Sequence, residues 1–215
     1  MRTNAAEVVA HNDTSRRPHA KQDAKAKPLQ IYFIRHGETE WSRLGKHTSY
    51  TDLALTPEGE AMAVRLATML KDVDFSLVLT SPRLRARATS ELAGLAQAQI
   101  EPNLAEWHYG HFEGLRSAEI SQLHPEWSLW QHGAPGGETP SEVGARADQL
   151  ITRLVQCTGA VALFSHGHFG RVLAARWIGQ PVLMGQHFTL DPASISILGF
   201  DPHHPDRRVI RSWNS

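Results

Sequence analysis

Three short apolar runs, at residues 29–34, 75–80 and 160–164, each stop abruptly at polar residues and are each followed by a helical pattern. Runs of β-branched and aromatic residues without polar alternation are strands buried on both faces, as in a parallel sheet covered by helices. The segments between them fit that role. Thr56-Pro57 supplies an N-cap and a first-turn proline, and Met62, Leu66, Met69 and Leu70 then recur at helical spacing, predicting one buried face. Ser81-Pro82 predicts a second helix start, running to about Leu95. Thr139-Pro140-Ser141-Glu142 is a capping box, with Val143, Ala147, Leu150, Ile151, Leu154 and Val155 on one side of the helix it opens.

A further helix is expected at roughly 168–178, and two alternating strands at 194–200 and 208–213. Residues 101–137 have no long period and predict a loop-rich excursion with a short helix near Ser117–Leu123. The fold class expected is α/β, a three-layer α/β/α sandwich with a mainly parallel central sheet. Loops after the parallel strands then open on one edge, where ligands of such folds bind. Residues 1–28 are polar and mixed in charge, so a disordered tail is expected there, with residues 29–215 as a single domain.

Composition narrows the function classes. Lysine plus arginine equals aspartate plus glutamate at 22 each, so no global charge calls for a nucleic-acid or membrane partner. No stretch is long and apolar enough to span a bilayer, and the N-terminus lacks the apolar centre of a secretory signal. The single cysteine, Cys157, excludes an internal disulfide and fits a reducing compartment, so a cytoplasmic location is expected. Thirteen histidines raise the question of a metal. His166 and His168 stand two apart, and His203 and His204 are adjacent, but no acidic or cysteine set completes a coordination sphere by spacing. No metal and no cofactor are expected.

The polar residues at the strand ends carry the chemistry. The first strand leads into Arg35-His36-Gly37, the second into Ser81-Pro82-Arg83-Leu84-Arg85-Ala86-Arg87, and the third into Ser165-His166-Gly167-His168. Arginine forks match phosphate oxygens in pairs, and Arg85 in a first helical turn adds the positive end of a helix. Two histidines on neighbouring strand ends supply a nucleophile and a partner. Each piece has an ordinary structural reading: Arg83, Arg85 and Arg87 suit a solvated helix face, and Trp107, Trp127 and Trp130 suit packing. Their joint occurrence at three strand ends predicts an anion site with a nucleophile inside it.

The motifs also resemble a known family. Arg35-His36-Gly37-Glu38-Thr39-Glu40-Trp41, the stretch from Ser81 to Thr89, Glu106-Trp107-His108-Tyr109-Gly110 with Glu113-Gly114, and Ser165-His166-Gly167-His168 with Arg171 are similar, in order, to the four motifs of the histidine phosphatase superfamily, the phosphoglycerate-mutase-like proteins. The resemblance implies that His36 becomes a phosphohistidine. It implies that Arg35, Arg85 and His166 hold the phosphoryl oxygens, and that Glu106 serves as acid and then base. Gly37 and Gly167 would leave room for the phosphate, and Ser42, Thr48, Ser49, Tyr109, His168 and Arg171 would contact substrate.

The wording of these motifs, with Gly136-Gly137-Glu138-Thr139, is most similar to the branch of small acid phosphatases and sedoheptulose-bisphosphatase. A short excursion after Glu106 and a short C-terminal segment point away from the cofactor-dependent mutases, as does Ser42 where mutases usually have asparagine. Ser49 stands where glycine is usual. The expected reaction is hydrolysis of a small phosphate ester, a sugar phosphate or bisphosphate. Alternatives are a phosphoglycerate mutase, a phosphoprotein phosphatase, or a phosphate-ligand binding protein without turnover. Oligomeric state is not legible.

Overall fold

The computed structural model describes residues 27–215, so the expected tail lies outside the described residues apart from Lys27 and Pro28. Its elements in chain order are β1 (Gln30–Arg35), α1 (Glu40–Arg43), α2 (Pro57–Leu70), β2 (Phe75–Thr80), α3 (Leu84–Leu92), β3 (Gln99–Ile100), α4 (Ser117–Leu123), α5 (Leu129–His132), α6 (Pro140–Leu154), β4 (Ala160–Ser165), α7 (Gly167–Trp177), β5 (Ile195–Phe200) and β6 (Arg208–Ser212). Short 3-10 turns punctuate the excursion and the segment after α7.

The sheet order is β3-β2-β4-β1-β5-β6. The first four of these run parallel, while β5 and β6 are antiparallel additions at one side. Alternation in the central strands divides the core into two layers. Ile34, Ala162 and Phe164 face Leu66 and Leu70 of α2 and Ala93 after α3. Ile31, Phe33, Val161 and Leu163 face the larger layer made by α6, α7 and the excursion. This is the three-layer mixed sandwich expected.

Register aligns Arg35 with Ser165, and Thr80 with Phe164. The polar residues after β1, β2 and β4 therefore emerge side by side. His36 N–H donates to Ser165 O at 3.0 Å, and Ser81 N–H to Phe164 O at 2.9 Å, so the ladder carries on into these loops.

Some expectations are corrected. The helix after β2 starts at Leu84, not at Ser81-Pro82. The Ser81 hydroxyl is drawn instead to His166, and Asp52 Oδ1 accepts from Leu84 N–H at 2.7 Å to cap the helix from outside. That helix ends at Leu92, just before Gly94 at φ +81°, rather than at Leu95. In α2 the buried stripe is Gly59, Ala63, Leu66 and Leu70, while Met69 is exposed. Small residues face the core there because backbone lies close by. Val155 is the exposed C-cap of α6, not part of its buried face. The two-residue edge strand β3 has no periodic signal.

The close approach is between α2 and the loop after β1. A Cβ at Gly59 would strike Glu38 O, and one at Gly37 would strike Gly59 O. Thr56 N–H donates to Glu38 O at 2.9 Å on the same junction. Glycine at 37 is thus required by helix packing. In an ordinary helix Gly→Ala stabilises by about 0.5–1 kcal/mol. At Gly59 the sign should reverse: Gly59→Ala should cost about 1–3 kcal/mol of stability through overpacking. A urea midpoint at or above wild type would show that helix and loop are not held in this contact.

Candidate active site

The turn after β1 is pinned from two sides. Ala193 N–H donates to Arg35 O and His36 O at 3.1 Å, and Gly37 N–H donates to Thr89 Oγ1 of α3 at 3.0 Å. His36 is buried in consequence, at 5% exposure. Its Nδ1 lies 2.6 Å from Gly37 O. A carbonyl oxygen only accepts, so Nδ1 carries the hydrogen and Nε2 presents its lone pair. Among the described residues the one group on Nε2 is Arg85 Nε, at 3.3 Å.

Arg85 is fully buried in the first turn of α3. Its Nη1 donates to Thr51 O at 3.2 Å and its Nη2 to Thr48 O at 3.0 Å. Those carbonyls are held in turn by Glu113, whose carboxylate accepts Thr51 N–H at 3.0 Å, Ser49 N–H at 2.9 Å and the Ser49 hydroxyl at 2.5 Å. Burial opposes the Glu113 charge, but the hydrogen bonds from Ser49 and Thr51 outweigh it and hold this carboxyl below its ordinary range.

His166 is the N-cap of α7, its ring centroid 5.2 Å from that of His36. Ser81 Oγ lies 2.7 Å from its Nε2 and accepts Arg83 N–H at 3.3 Å. The Ser81 hydroxyl has no other acceptor among the described residues, so its hydrogen is assigned to Nε2, leaving the hydrogen of His166 on Nδ1. That atom and Arg35 Nε are buried without a hydrogen-bond partner among the described residues. A buried orphaned donor costs about 1–3 kcal/mol. Both orphans flank His36, where a phosphoryl oxygen would satisfy them. The other arm of Arg35 is tied to Leu190 O through Nη1.

Glu106 is also buried. Oε1 accepts from Phe169 N–H at 2.8 Å and Trp107 N–H at 2.9 Å, and Oε2 accepts from His168 N–H at 3.1 Å. The carboxyl group thus caps the start of α7 through His168 and Phe169. Arg146 fixes its segment by donating to Asn103 O at 2.7 Å and Ala105 O at 2.9 Å, and Glu138 grips Arg146 with both oxygens at 2.9 Å.

Arg35, His36 and Glu106 open into one polar cleft of about 180 Å³, lined also by Ser42, Thr48, Tyr109, Gly167, His168 and Arg171. Ser42 spends its hydroxyl on Thr39 in the cap of α1. Arg171 lies over the Trp130 ring at 4.6 Å and donates to Gly185 O and Gln186 O, so it clamps the fold as well as walling the cleft. At Gly167 a Cβ would touch the Arg35 guanidinium. Ser49 faces Glu113, and Gly37 faces Gly59; neither lines the cleft. Trp107 is a core residue, edge-on to Trp130.

Several site residues escaped the sequence reading. His47 and Lys46 line the cleft, Ser81 orients His166, and Glu113, Glu138 and Arg146 fix the loops. Ser81, Glu113 and Glu138 sit inside the recognised motifs, which is the signal that pointed at them. Nothing local marks His47.

Charge is unbalanced in this site. Burial lowers the affinity of the Arg35 and Arg85 guanidiniums for their protons, and the charge of Glu106 opposes this at each. His36 and His166 are held well below the ordinary histidine range, first by burial and next by Arg85. His168 is well below it too, by burial and then Arg171, and His47 is lowered by burial. Neutral His36 keeps its lone pair available into acid. Because these folded histidines bind protons more weakly than an unfolded chain does near pH 6.5, unfolding takes up protons below that pH. Their stability contribution is present above about pH 6.5 and lost as pH falls. The free energy of urea unfolding should therefore drop between pH 7 and 5, less steeply in His36→Asn. A flat profile in both would contradict buried neutral histidines.

Comparison with known proteins gives a consistent picture. The profile of the histidine phosphatase superfamily (branch 1) matches residues 31–215. An acid phosphatase of Mycobacterium tuberculosis is 38% identical over 176 residues, covering 80% of this chain and 87% of its own length. Sedoheptulose 1,7-bisphosphatase of Saccharomyces cerevisiae is 35% identical over 182 residues, covering 69% of this chain and 67% of its own. The solved structure of an open reading frame product of Mycobacterium tuberculosis superposes with a TM-score of 0.82 at 36% identity, covering 86% of this chain and 97% of that one.

Proposed function

The chain belongs to the histidine phosphatase superfamily and is a phosphatase, and we propose that His36 is the nucleophile that takes the phosphoryl group from a small phosphorylated metabolite. The observation that carries this role is the Nδ1–H bond to Gly37 O, which leaves Nε2 as a lone pair among cationic donors. Nε2 attacks phosphorus as the P–O bond to the leaving group breaks, and Glu106 gives that oxygen a proton. Water then attacks the phosphohistidine, Glu106 takes its proton, and the N–P bond breaks to release inorganic phosphate. Arg35, Arg85 and the Nδ1–H of His166 stabilise the charge spreading over the phosphoryl oxygens.

The substrate class we infer is a sugar phosphate or bisphosphate. The narrow polar cleft suits a small ester, and relatives at 38% and 35% identity are named an acid phosphatase and a sugar bisphosphatase. Thr48, Tyr109, His168 and Arg171 line the space beyond the phosphate and are our candidate substrate contacts, with Ser42 at the cap of α1. We infer a metal-independent reaction, because buried guanidiniums supply the charge that a metal would otherwise bring. Residues 29–215 act as one domain in this reading, and the single cysteine supports a cytoplasmic setting.

Phosphate release from p-nitrophenyl phosphate, sugar mono- and bisphosphates and 3-phosphoglycerate tests the reaction. Wild type should turn over sugar phosphates in excess EDTA. His36→Ala should lose at least about 10³-fold, and Arg85→Ala about 10²–10³-fold. Acid-quenched wild type should lack, and alkali-quenched wild type retain, a phosphoryl group on His36, as a phosphoramidate requires. Interconversion of 3- and 2-phosphoglycerate without phosphate release would make the enzyme a mutase, and turnover retained by His36→Ala would remove the nucleophile.

A further inference from the structure

Two stacked imidazoles line the cleft. His47 and His168 lie parallel, with ring centroids 5.8 Å apart and planes within 8°. They come from sequence segments more than a hundred residues apart, and both line the cleft that contains His36. Tyr109 packs edge-on against both, at 4.6 Å from His47 and 5.7 Å from His168, and Trp130 lies 5.4 Å from His168. The rings are therefore held in place by their neighbours before any ligand arrives.

Their hydrogens are assigned by their partners. His47 Nδ1 lies 2.9 Å from Leu115 O and must donate to it, so Nε2 is an acceptor. His168 Nδ1 lies 2.7 Å from Tyr109 Oη. We take Nδ1, the one partner of the Tyr109 hydroxyl among the described residues, as the acceptor of its hydrogen, so that His168 carries its own on Nε2. The wall thus offers one acceptor, His47 Nε2, beside one donor, His168 Nε2–H. Neither has a hydrogen-bond partner among the described residues, and neither is among the fully buried orphans.

A hydroxyl needs such a pair, because it gives one hydrogen and accepts another. We propose that His47 and His168 form a specificity-determining pair that reads a hydroxyl on the carbon skeleton of the substrate, selecting polyol phosphates over phosphate esters that lack hydroxyls. This rests on the phosphatase reading above and names the recognition element for its substrate class. Burial holds both imidazoles below the ordinary histidine range, and Arg171 adds to this at His168. Both are therefore neutral at pH 7, the form in which one ring nitrogen donates and the other accepts.

Glycerol 3-phosphate and propyl phosphate have the same number of carbons and differ in their hydroxyls, which isolates the effect. Wild type should favour glycerol 3-phosphate in kcat/KM by about 10- to 100-fold, the range expected when a polar pair is left unmatched. In His47→Phe that ratio should fall to within about threefold of unity, while His47→Gln, which keeps an acceptor, should retain part of it. A purely structural role would lower both substrates together and leave the ratio unmoved. A wild-type ratio near unity, or a wild-type ratio preserved in a folded His47→Phe, would overturn the proposal. Should His47→Phe fail to melt cooperatively, His47→Leu and His168→Leu, which remove the acceptor and the donor, carry the same comparison. If wild type hydrolyses neither ester while the sugar phosphates above are turned over, the comparison passes to binding; if nothing is turned over, the hydrolase reading fails by itself. Calorimetric binding of the two esters to His36→Ala then gives the ratio that decides the histidine pair.

Discussion

Burying the Arg85 guanidinium is the constraint around which the rest of this structure is arranged. A charge taken out of water is tolerated only where hydrogen bonds replace its hydration, because the penalty is several kcal/mol per ion. The replacement here comes from the carbonyls of Thr48 and Thr51, so the loop between α1 and α2 must hold one shape. That shape is imposed by Glu113, whose two oxygens gather Ser49 and Thr51. Once the loop is fixed, Arg85 has one position from which its Nε meets His36. The proposed nucleophile is thus oriented by a chain of contacts that starts in the excursion.

The same logic explains the glycines of the first turn. His36 stands at the end of a central strand, and α2 packs directly on the next residues. Only a bare backbone at Gly37 and Gly59 lets helix and loop meet, and that contact seats the turn against Thr89 of α3. Tight packing on one side and charge on the other leave the imidazole little freedom. Such preorganisation is what a transition state with spreading negative charge needs, since the donors are already in place when the charge develops.

How much of this was legible depended on range along the chain. Strands β1, β2 and β4 could be read because burial on both faces leaves a local mark, an apolar run broken by polar residues. The gathering of Arg35, His36 and His166 was legible for the same reason, since they stand within two residues of a strand end. What stayed hidden is held by contacts across long separations. Ser81 reads as a helix cap by its neighbour Pro82, yet its hydroxyl is claimed by His166, 85 residues away. Met69 fits a helical stripe, yet the stripe rotates to present Gly59 and Ala63 because backbone crowds that face. His47 lies in a polar loop with no period, and only the fold brings it over His168.

Glu106 shows most clearly how catalysis and folding share parts. Its carboxylate caps α7 through His168 and Phe169, and His166 is the N-cap of that same helix. The proposed acid and base, the phosphoryl donor on His166 and the cleft wall at His168 therefore belong to one rigid corner. Arg146 of α6, itself gripped by Glu138, holds that corner through the carbonyls on either side of residue 104. A carboxylate already bound to three N–H groups cannot swing toward a ligand without leaving helix ends unsatisfied, which is costly in a buried place. The leaving oxygen must instead be brought to Glu106. That task falls to the cleft wall that His168 shares with this corner, so recognition of the carbon skeleton and delivery of the proton are two results of the same geometry.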